Sequence, residues 1–215
     1  MQPPTVIGKV LSVNVGLPRS VEWKRRLVYT GIFKEPVKER IRVDKLNFKG
    51  DAQADLSVHG GPDKAIYVYP AEYYDYWRSE FPEMTLDWGM FGENLTVTGL
   101  RDDEVNIGDR FQIGSTKLVV TQPRLPCYKL AVKFGRDDIL RRFLKRQYTG
   151  FYLRVLQEGE IGAGDKIISL SKDEHEVKVT DIVSLYTSRK PDLALMKRAI
   201  EVEALPASWK DYFQE

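Results

Sequence analysis

From Val6 to Val15 the chain reads V-I-G-K-V-L-S-V-N-V, and apolar residues alternate with small or polar ones at the period of two that a half-buried strand requires. Gly16, Pro18 and Ser20 break the pattern. Leu27 to Lys34 is a second short apolar stretch, Pro36 interrupts it, and Val37 to Val43 resumes the alternation. The next segment, Leu46 to Gly61, is rich in turn residues, with Gly50-Asp51 and the run His59-Gly60-Gly61-Pro62. Ala65 to Tyr69 predicts a compact strand, and Pro70 then predicts the first turn of a helix, where its missing N–H costs nothing. Tyr73, Trp77 and Phe81 follow at helical spacing and predict a buried stripe.

Further along, Leu95 to Thr98, Val105 to Ile113 and Lys117 to Thr121 predict strands, with tight turns at Gly108-Asp109 and Gly114-Ser115. Asp137 to Tyr148 predicts a basic amphipathic helix with Ile139, Leu140, Phe143 and Leu144 on one side. Phe151 to Leu156 and Lys166 to Leu170 predict two more strands around a Gly-rich turn. The pattern changes after Leu170. A charged stretch, Ser171 to Glu176, leads into three predicted helices at Thr180 to Tyr186, Pro191 to Leu205 and Pro206 to Phe213. Leu193, Met196 and Ile200 would be the apolar stripe of the second; Leu205, Trp209 and Phe213 that of the third. Short, regularly spaced strands suggest a barrel. The expected fold is mainly β with α: a β-barrel over residues 1–170 followed by a three-helix segment over 171–215.

Composition narrows the chemistry. Lys and Arg number 33 against 31 Asp and Glu, a net charge of +2, so no global positive field points to a nucleic acid polymer. No apolar run approaches the roughly 18 residues of a membrane span, and the first residues lack the basic and apolar regions of a signal peptide, so a cytoplasmic protein is expected. One cysteine, Cys127, excludes an intrachain disulfide, a Cys₄ zinc site and an all-cysteine iron–sulfur cluster. Only two histidines occur, His59 and His175, the latter in a charged run expected to be solvated. Any metal chemistry must then rest on few protein atoms.

The densest signal is Q-P-R-L-P-C-Y-K over residues 122–129. Two prolines stiffen it, and Arg124 and Lys129 flank the thiol in a way that favours the thiolate, the form that ligates soft metals or carries sulfur. A small buried hydrophobe is the plainer use of a lone cysteine. In H-G-G-P-D-K, two glycines let the backbone approach a ligand between His59 and Lys64. In F-G-E-N-L-T, Asn94 offers donors and an acceptor to a heterocycle edge. Thr30 to Lys34 brings a hydroxyl and an ammonium to a strand end, and Thr149 to Tyr152 brings backbone and a phenol. Each of these, taken singly, is more often scaffold. The basic face Arg141, Arg142, Lys145 and Arg146 reads as solvated.

Taken in order, T-G-I-F-K-E-P-V from Thr30, H-G-G-P-D-K-A-I-Y-V-Y from His59, F-G-E-N-L-T from Phe91 and Q-P-R-L-P-C-Y-K-L from Gln122 resemble the MOSC domain, named for the C-terminal domain of molybdenum-cofactor sulfurases. The likeness is to its YiiM-type branch and extends over nearly the whole chain, including the C-terminal helices. It implies a MOSC-type barrel and a molybdenum cofactor, molybdopterin-bound, with Cys127 as the metal ligand. The cofactor-binding set it implies on matching positions is Thr30, Phe33, Lys34, His59, Lys64, Asn94, Leu95, Arg124, Cys127 and Tyr152. Cys127 and His59 are the catalytic candidates, with His59 and Tyr152 as alternatives for proton donor; Lys34 or Lys64 would meet the pterin phosphate. The implied activity is reduction of N-hydroxylated compounds, such as hydroxylaminopurines and hydroxylamines, to amines. Relatives with an additional N-terminal domain make cofactor contacts with it, and these do not carry over. The chain has no iron–sulfur cysteine set, so a separate electron-donor reductase is expected. Two alternatives stay open: a persulfide on Cys127 that delivers sulfur, and a module that only stores or hands over the cofactor. A homodimer is a further alternative, since the Trp209 helix has either the barrel or another chain to pack on.

Overall fold

The computed structural model describes residues 5–55 and 60–214. The first strand, β1 (Thr5–Val15), is long because it serves three neighbours. It pairs with β12 (Lys166–Ser171) through its first half, with β7 (Leu95–Thr98) on its other edge, and with the short β4 (Glu35–Val37) through its last three residues. From β12 the order runs through β8 (Arg110–Ile113), β9 (Thr116–Pro123), β10 (Phe151–Gln157), β6 (Ile66–Pro70) and β7 back to β1. That closes a seven-stranded barrel, which leaves no long free edge. Every pairing is antiparallel except β6 with β7. A parallel pair needs a crossover, and helix α1 (Glu72–Glu80) provides it.

Strand β6 explains why the chain has two cores. All five of its residues are buried, so it lacks alternation. Ile66 and Val68 point into the barrel interior with Val10, Leu95 and Phe151. Tyr67 and Tyr69 point outward into an aromatic layer formed with α1, α2 (Tyr128–Phe134) and α3 (Asp138–Arg146). There Tyr69 stacks on Phe91 with ring centres 4.2 Å apart, and the Trp77 indole donates to the Tyr69 hydroxyl at 2.6 Å.

The C-terminal helices α4 (Val179–Thr187), α5 (Leu193–Glu201) and α6 (Ala207–Gln214) continue the barrel's own core through Ile182, Leu185, Ala199, Leu205, Trp209 and Phe213. Trp209 Nε1 donates to Gln122 Oε1 at 2.9 Å, and Arg154 Nη2 donates to the Ala204 carbonyl at 3.3 Å. The Trp209 stripe therefore covers its own barrel. No helix among the described residues is long and apolar enough to cross a membrane.

Several local expectations are corrected. Pro70 ends β6 rather than opening α1; it pairs in parallel register with Val97, and the helix starts two residues later behind Ala71. Residues 17–30 form a hairpin of β2 (Arg19–Trp23) and β3 (Arg26–Thr30), although no Asn or Gly marks its turn: Lys24 and Arg25 take positive φ, 51° and 61°. The run from Val37 to Val43 splits, because β4 joins β1 whereas β5 (Ile41–Val43) pairs with β11 (Gly159–Ile161). Leu193 is 69% exposed at the first turn of α5, and Ala199 fills the buried position instead. His175 is half-buried, its Nδ1 3.0 Å from Asp173.

Candidate functional site

The single thiol sits where a strand turns into a helix. Pro123 ends β9, and the Arg124 N–H closes onto the Gly150 carbonyl at 3.1 Å. Leu125 and Pro126 then carry the chain to Cys127, whose backbone is extended (φ −117°, ψ 170°) and forms the N-cap of α2. A proline before the cysteine disfavours helical backbone at Leu125, so the helix begins after that residue. Cys127 is half-buried at the wall of an open cleft of about 640 Å³.

The barrel and its loops bring most of the expected residues to this cleft. Thr30, Lys34, Lys64, Asn94, Arg124 and Tyr152 line it beside Cys127. Two glycines let opposite walls come close. A Cβ on Gly31 would lie 2.4 Å from the Ala52 carbonyl oxygen, and one on Gly92, at φ +81°, would lie 2.7 Å from the Ile32 side chain. Two expected residues are elsewhere. Leu95 is fully buried in the barrel core, because the period of two turns its side chain inward. Phe33 does not line the cleft; its ring lies under the Arg19 guanidinium at 4.5 Å and the Lys133 ammonium at 4.9 Å. His59 lies outside the described residues.

The cleft is cationic. Lys34, Lys64, Arg124 and Lys129 line it, and among the described residues no carboxylate does. These four cations are not equivalent. Lys34 pairs with fully buried Asp51, whose other oxygen accepts from Asn94 Nδ2 at 2.9 Å. Burial lowers the Lys34 pKa, and the Asp51 charge works against that loss. Burial also lowers the Lys64 pKa. Lys129 is only 9% exposed and has no ion-pair partner among the described residues. Arg124 is 5% exposed and its Nη1 has no hydrogen-bond partner among the described residues, an omission worth about 1–3 kcal/mol in a buried donor. Burial opposes its charge. The Tyr67 and Tyr152 phenols and the Cys127 sulfur more than offset that and hold its proton above the usual arginine range. The Tyr67 ring lies 5.3 Å below the guanidinium.

Asn94 has a different job from the one its amide suggested. Its Oδ1 accepts from the Tyr67 N–H at 3.0 Å, and its Nδ2 donates to Asp51 and to the Asn14 carbonyl. The side chain ties β6 to the Asp51 turn and has one lone pair left to offer. Its neighbour Glu93 is fully buried and points away. It accepts from Tyr74, from the N–H groups of Gly89 at 2.8 Å and Phe91 at 3.1 Å, and from Thr96 Oγ1 at 2.8 Å, while burial raises its pKa. Tyr152 is a neutral phenol whose pKa burial raises.

Sequence reasoning missed Tyr67, Asp51 and the setting of Lys129. Tyr67 looked like one more strand residue. Asp51 looked like a turn residue. Lys129 was visible only as a charge near the thiol, because α2 is seven residues long and too short for a periodic signal.

Comparison with known proteins agrees with the fold. The MOSC domain model matches residues 55–168, and the model for a YiiM-like 3-alpha helix domain matches residues 179–215. YflK of Bacillus subtilis (strain 168) is 42% identical over 96% of this chain and 93% of its own length. A protein of Gibberella moniliformis named "Reductase" is 35% identical over 71% of this chain, which matches 28% of that longer protein. The crystal structure of YiiM from Geobacillus stearothermophilus superimposes with a TM-score of 0.80 at 34% identity, covering 96% of this chain and 97% of that one.

Proposed function

The chain belongs to the MOSC domain family and carries the YiiM-like helical extension, and from that premise we propose that it is a molybdenum-cofactor-dependent reductase of N-hydroxylated compounds. The observation that carries the reading is Arg124 Nη1, a buried cationic donor without a partner among the described residues, beside Cys127 in a cleft that no described carboxylate lines. A buried donor is expected to find an acceptor, and the described residues provide none here. The residues suit a phosphorylated pterin that holds a metal. Cys127 offers a soft thiolate to the metal. Arg124 offers its free N–H to a pterin edge, and Lys129 and Lys64 offer ammonium groups to the phosphate. Lys34 is a weaker candidate for that phosphate, since Asp51 already neutralises it.

When bound, the cofactor supplies the oxygen-atom and two-electron chemistry. Reduction of an N–OH group breaks the N–O bond, consumes two electrons and two protons, and yields an amine and water. The Tyr152 phenol stays protonated through burial and can hold a proton at Oη toward the departing oxygen. His59 is the second candidate for that role. Tyr67, Ile32 and Leu125 wall the cleft and exclude water from the reacting bond.

The test is metal content and turnover. Protein purified from a host that makes the cofactor is expected to hold molybdenum near one per chain, and Cys127→Ala to hold little while keeping its melting temperature. Loaded protein is expected to convert a hydroxylaminopurine to the aminopurine with reduced methyl viologen. Equal molybdenum in wild type and Cys127→Ala would refute the ligand assignment. Sulfane sulfur in place of molybdenum would favour the sulfur-carrier alternative, and loaded protein without turnover would favour the storage module.

A further inference from the structure

Besides the cleft, the β2–β3 hairpin stands out. It is a two-stranded sheet separate from the barrel, and its last residue, Thr30, leads directly into the cleft wall at Thr30, Gly31 and Ile32. Pairing of Ser20 with Tyr29 and of Glu22 with Leu27 puts these four side chains on one face. That face has nothing packed on it: Leu27 is 79% exposed and Tyr29 57% exposed. Leu17 at the hairpin's entrance is 66% exposed, and Tyr128, adjacent to the thiol in sequence, is 55% exposed. On the hairpin's opposite face, a shallow groove lined by Trp23, Lys24, Arg26, Val28 and Tyr128 joins the hairpin to the Cys127 loop.

The charge on this element is as distinctive as its apolar surface. Residues 17–29 contain Arg19, Lys24, Arg25 and Arg26 against Glu22 alone, a net +3 on thirteen residues, whereas the whole chain carries +2. The positive backbone φ of Lys24 and Arg25 sets both at the hairpin's tip. Lys24 pairs with Asp137. Arg25 and Arg26 are exposed and form no ion pair among the described residues.

We propose that this hairpin is the docking surface for the electron donor, an acidic protein that exposes a one-electron flavin or iron–sulfur group at a carboxylate-rich rim. The proposal rests on the reductase reading above, which needs two electrons per N–O bond broken. The hairpin's last residue, Thr30, is part of the cleft wall, so a donor seated on the hairpin lies near the cleft. Exposed Leu27 and Tyr29 beside the basic tip at Lys24 and Arg25 suit a small, transient interface in which charge sets the encounter rate. A second copy of this chain is disfavoured, because a two-fold contact would set +3 against +3.

Two measurements test it. In the first, isotope-labelled protein is titrated with an acidic flavodoxin at low salt, with no turnover required. Shifts are expected at residues 17–29 and at Tyr128, and the affinity is expected to weaken at least tenfold in Arg25→Glu/Arg26→Glu and at high ionic strength. Leu27→Ser/Tyr29→Ser is expected to weaken binding while leaving the salt dependence intact. In the second, loaded protein is assayed with reduced flavodoxin and with reduced methyl viologen. The charge reversal is expected to raise KM for flavodoxin at least tenfold and to leave the viologen rate unchanged. No binding at low salt, unchanged binding by the reversed variant, or shifts confined to another face would overturn the proposal. So would shifts at 17–29 caused by anionic vesicles instead of flavodoxin, or by self-association of the chain. Absence of viologen turnover would instead count against the reductase reading, and the titration would still decide the docking surface.

Discussion

Asp102 makes the protein lose stability as pH rises through neutrality, and this can be measured directly. Its carboxyl is fully buried in the turn after β7. Oδ2 accepts three hydrogen bonds, from the Thr149 N–H at 2.9 Å, the Thr149 hydroxyl at 3.1 Å and the Gly150 N–H at 2.8 Å. Oδ1 has no partner among the described residues and is the natural seat of a proton. Burial raises the pKa from 3.8 to about 7, because desolvation outweighs the three donors. The sign follows from proton binding. Between these two pH values the folded state keeps the proton and the unfolded state has lost it, so each pH unit gained removes stability. The stabilisation is complete below pH 3.8 and lost as pH rises through about 7. Roughly three decades of proton affinity at about 1.4 kcal/mol each give about 4 kcal/mol in all, of which about 3 fall between pH 5 and pH 8.

Asp102→Asn imitates the protonated acid: its carbonyl can take the three donors and its NH₂ replaces the O–H. Urea unfolding followed by circular dichroism at pH 5 and pH 8 reads the difference. Wild type is expected to lose about 3 kcal/mol more than the variant over this range, or about 1 M in the urea midpoint. Comparison with the variant cancels histidines and other groups common to both. Parallel stability curves for the two proteins, or a carbon NMR titration of Asp102 centred near 4, would refute the reasoning. The effect reaches the cleft through backbone. The Thr149 carbonyl accepts the Tyr67 hydroxyl at 2.7 Å, and the Gly150 carbonyl accepts the Arg124 N–H. The segment that binds Asp102 is therefore also the one that holds two cleft residues.

Two further perturbations probe the scaffold of the site. Lys34→Ala leaves Asp51 buried and uncompensated and is expected to cost about 3–5 kcal/mol in urea unfolding, with part of it recovered in Lys34→Ala/Asp51→Asn; a single variant as stable as the double one would show that the pair is not holding that charge. Trp209→Phe keeps the packing but leaves Gln122 Oε1 without its donor, for a loss of about 1–2 kcal/mol, whereas Trp209→Ala is expected to cost about 3–5; a neutral Trp209→Ala would mean that the last helix is not part of the barrel's core.

The fold was legible where a local pattern repeats long enough to be read. The strand read from Val6 to Val15 and the stripe of Leu205, Trp209 and Phe213 are both in the structure, although burial along that strand does not alternate. The elements that escaped are those whose signal is tertiary. The Lys24-Arg25 turn has none of the usual turn residues, so its hairpin is set by the pairing of Val21 with Val28 and Trp23 with Arg26. Strand β11 is three residues long and exists because β5 pairs with it.

The same division runs through the cleft. Residue type and order were enough to bring Cys127, Arg124, Lys64, Thr30 and Tyr152 to one place, because loops at neighbouring strand ends must converge when a barrel closes. Type and order were not enough to say what each charge is free to do. Lys34 and Lys129 look alike in sequence, yet Asp51, seventeen residues after Lys34, claims one and no described carboxylate claims the other. Which ammonium can meet an anion is therefore decided by a turn with no functional signature. It follows that Lys129→Ala is the cleaner probe of anion binding, since removing Lys34 also exposes the energetic debt of Asp51 and mixes stability with affinity.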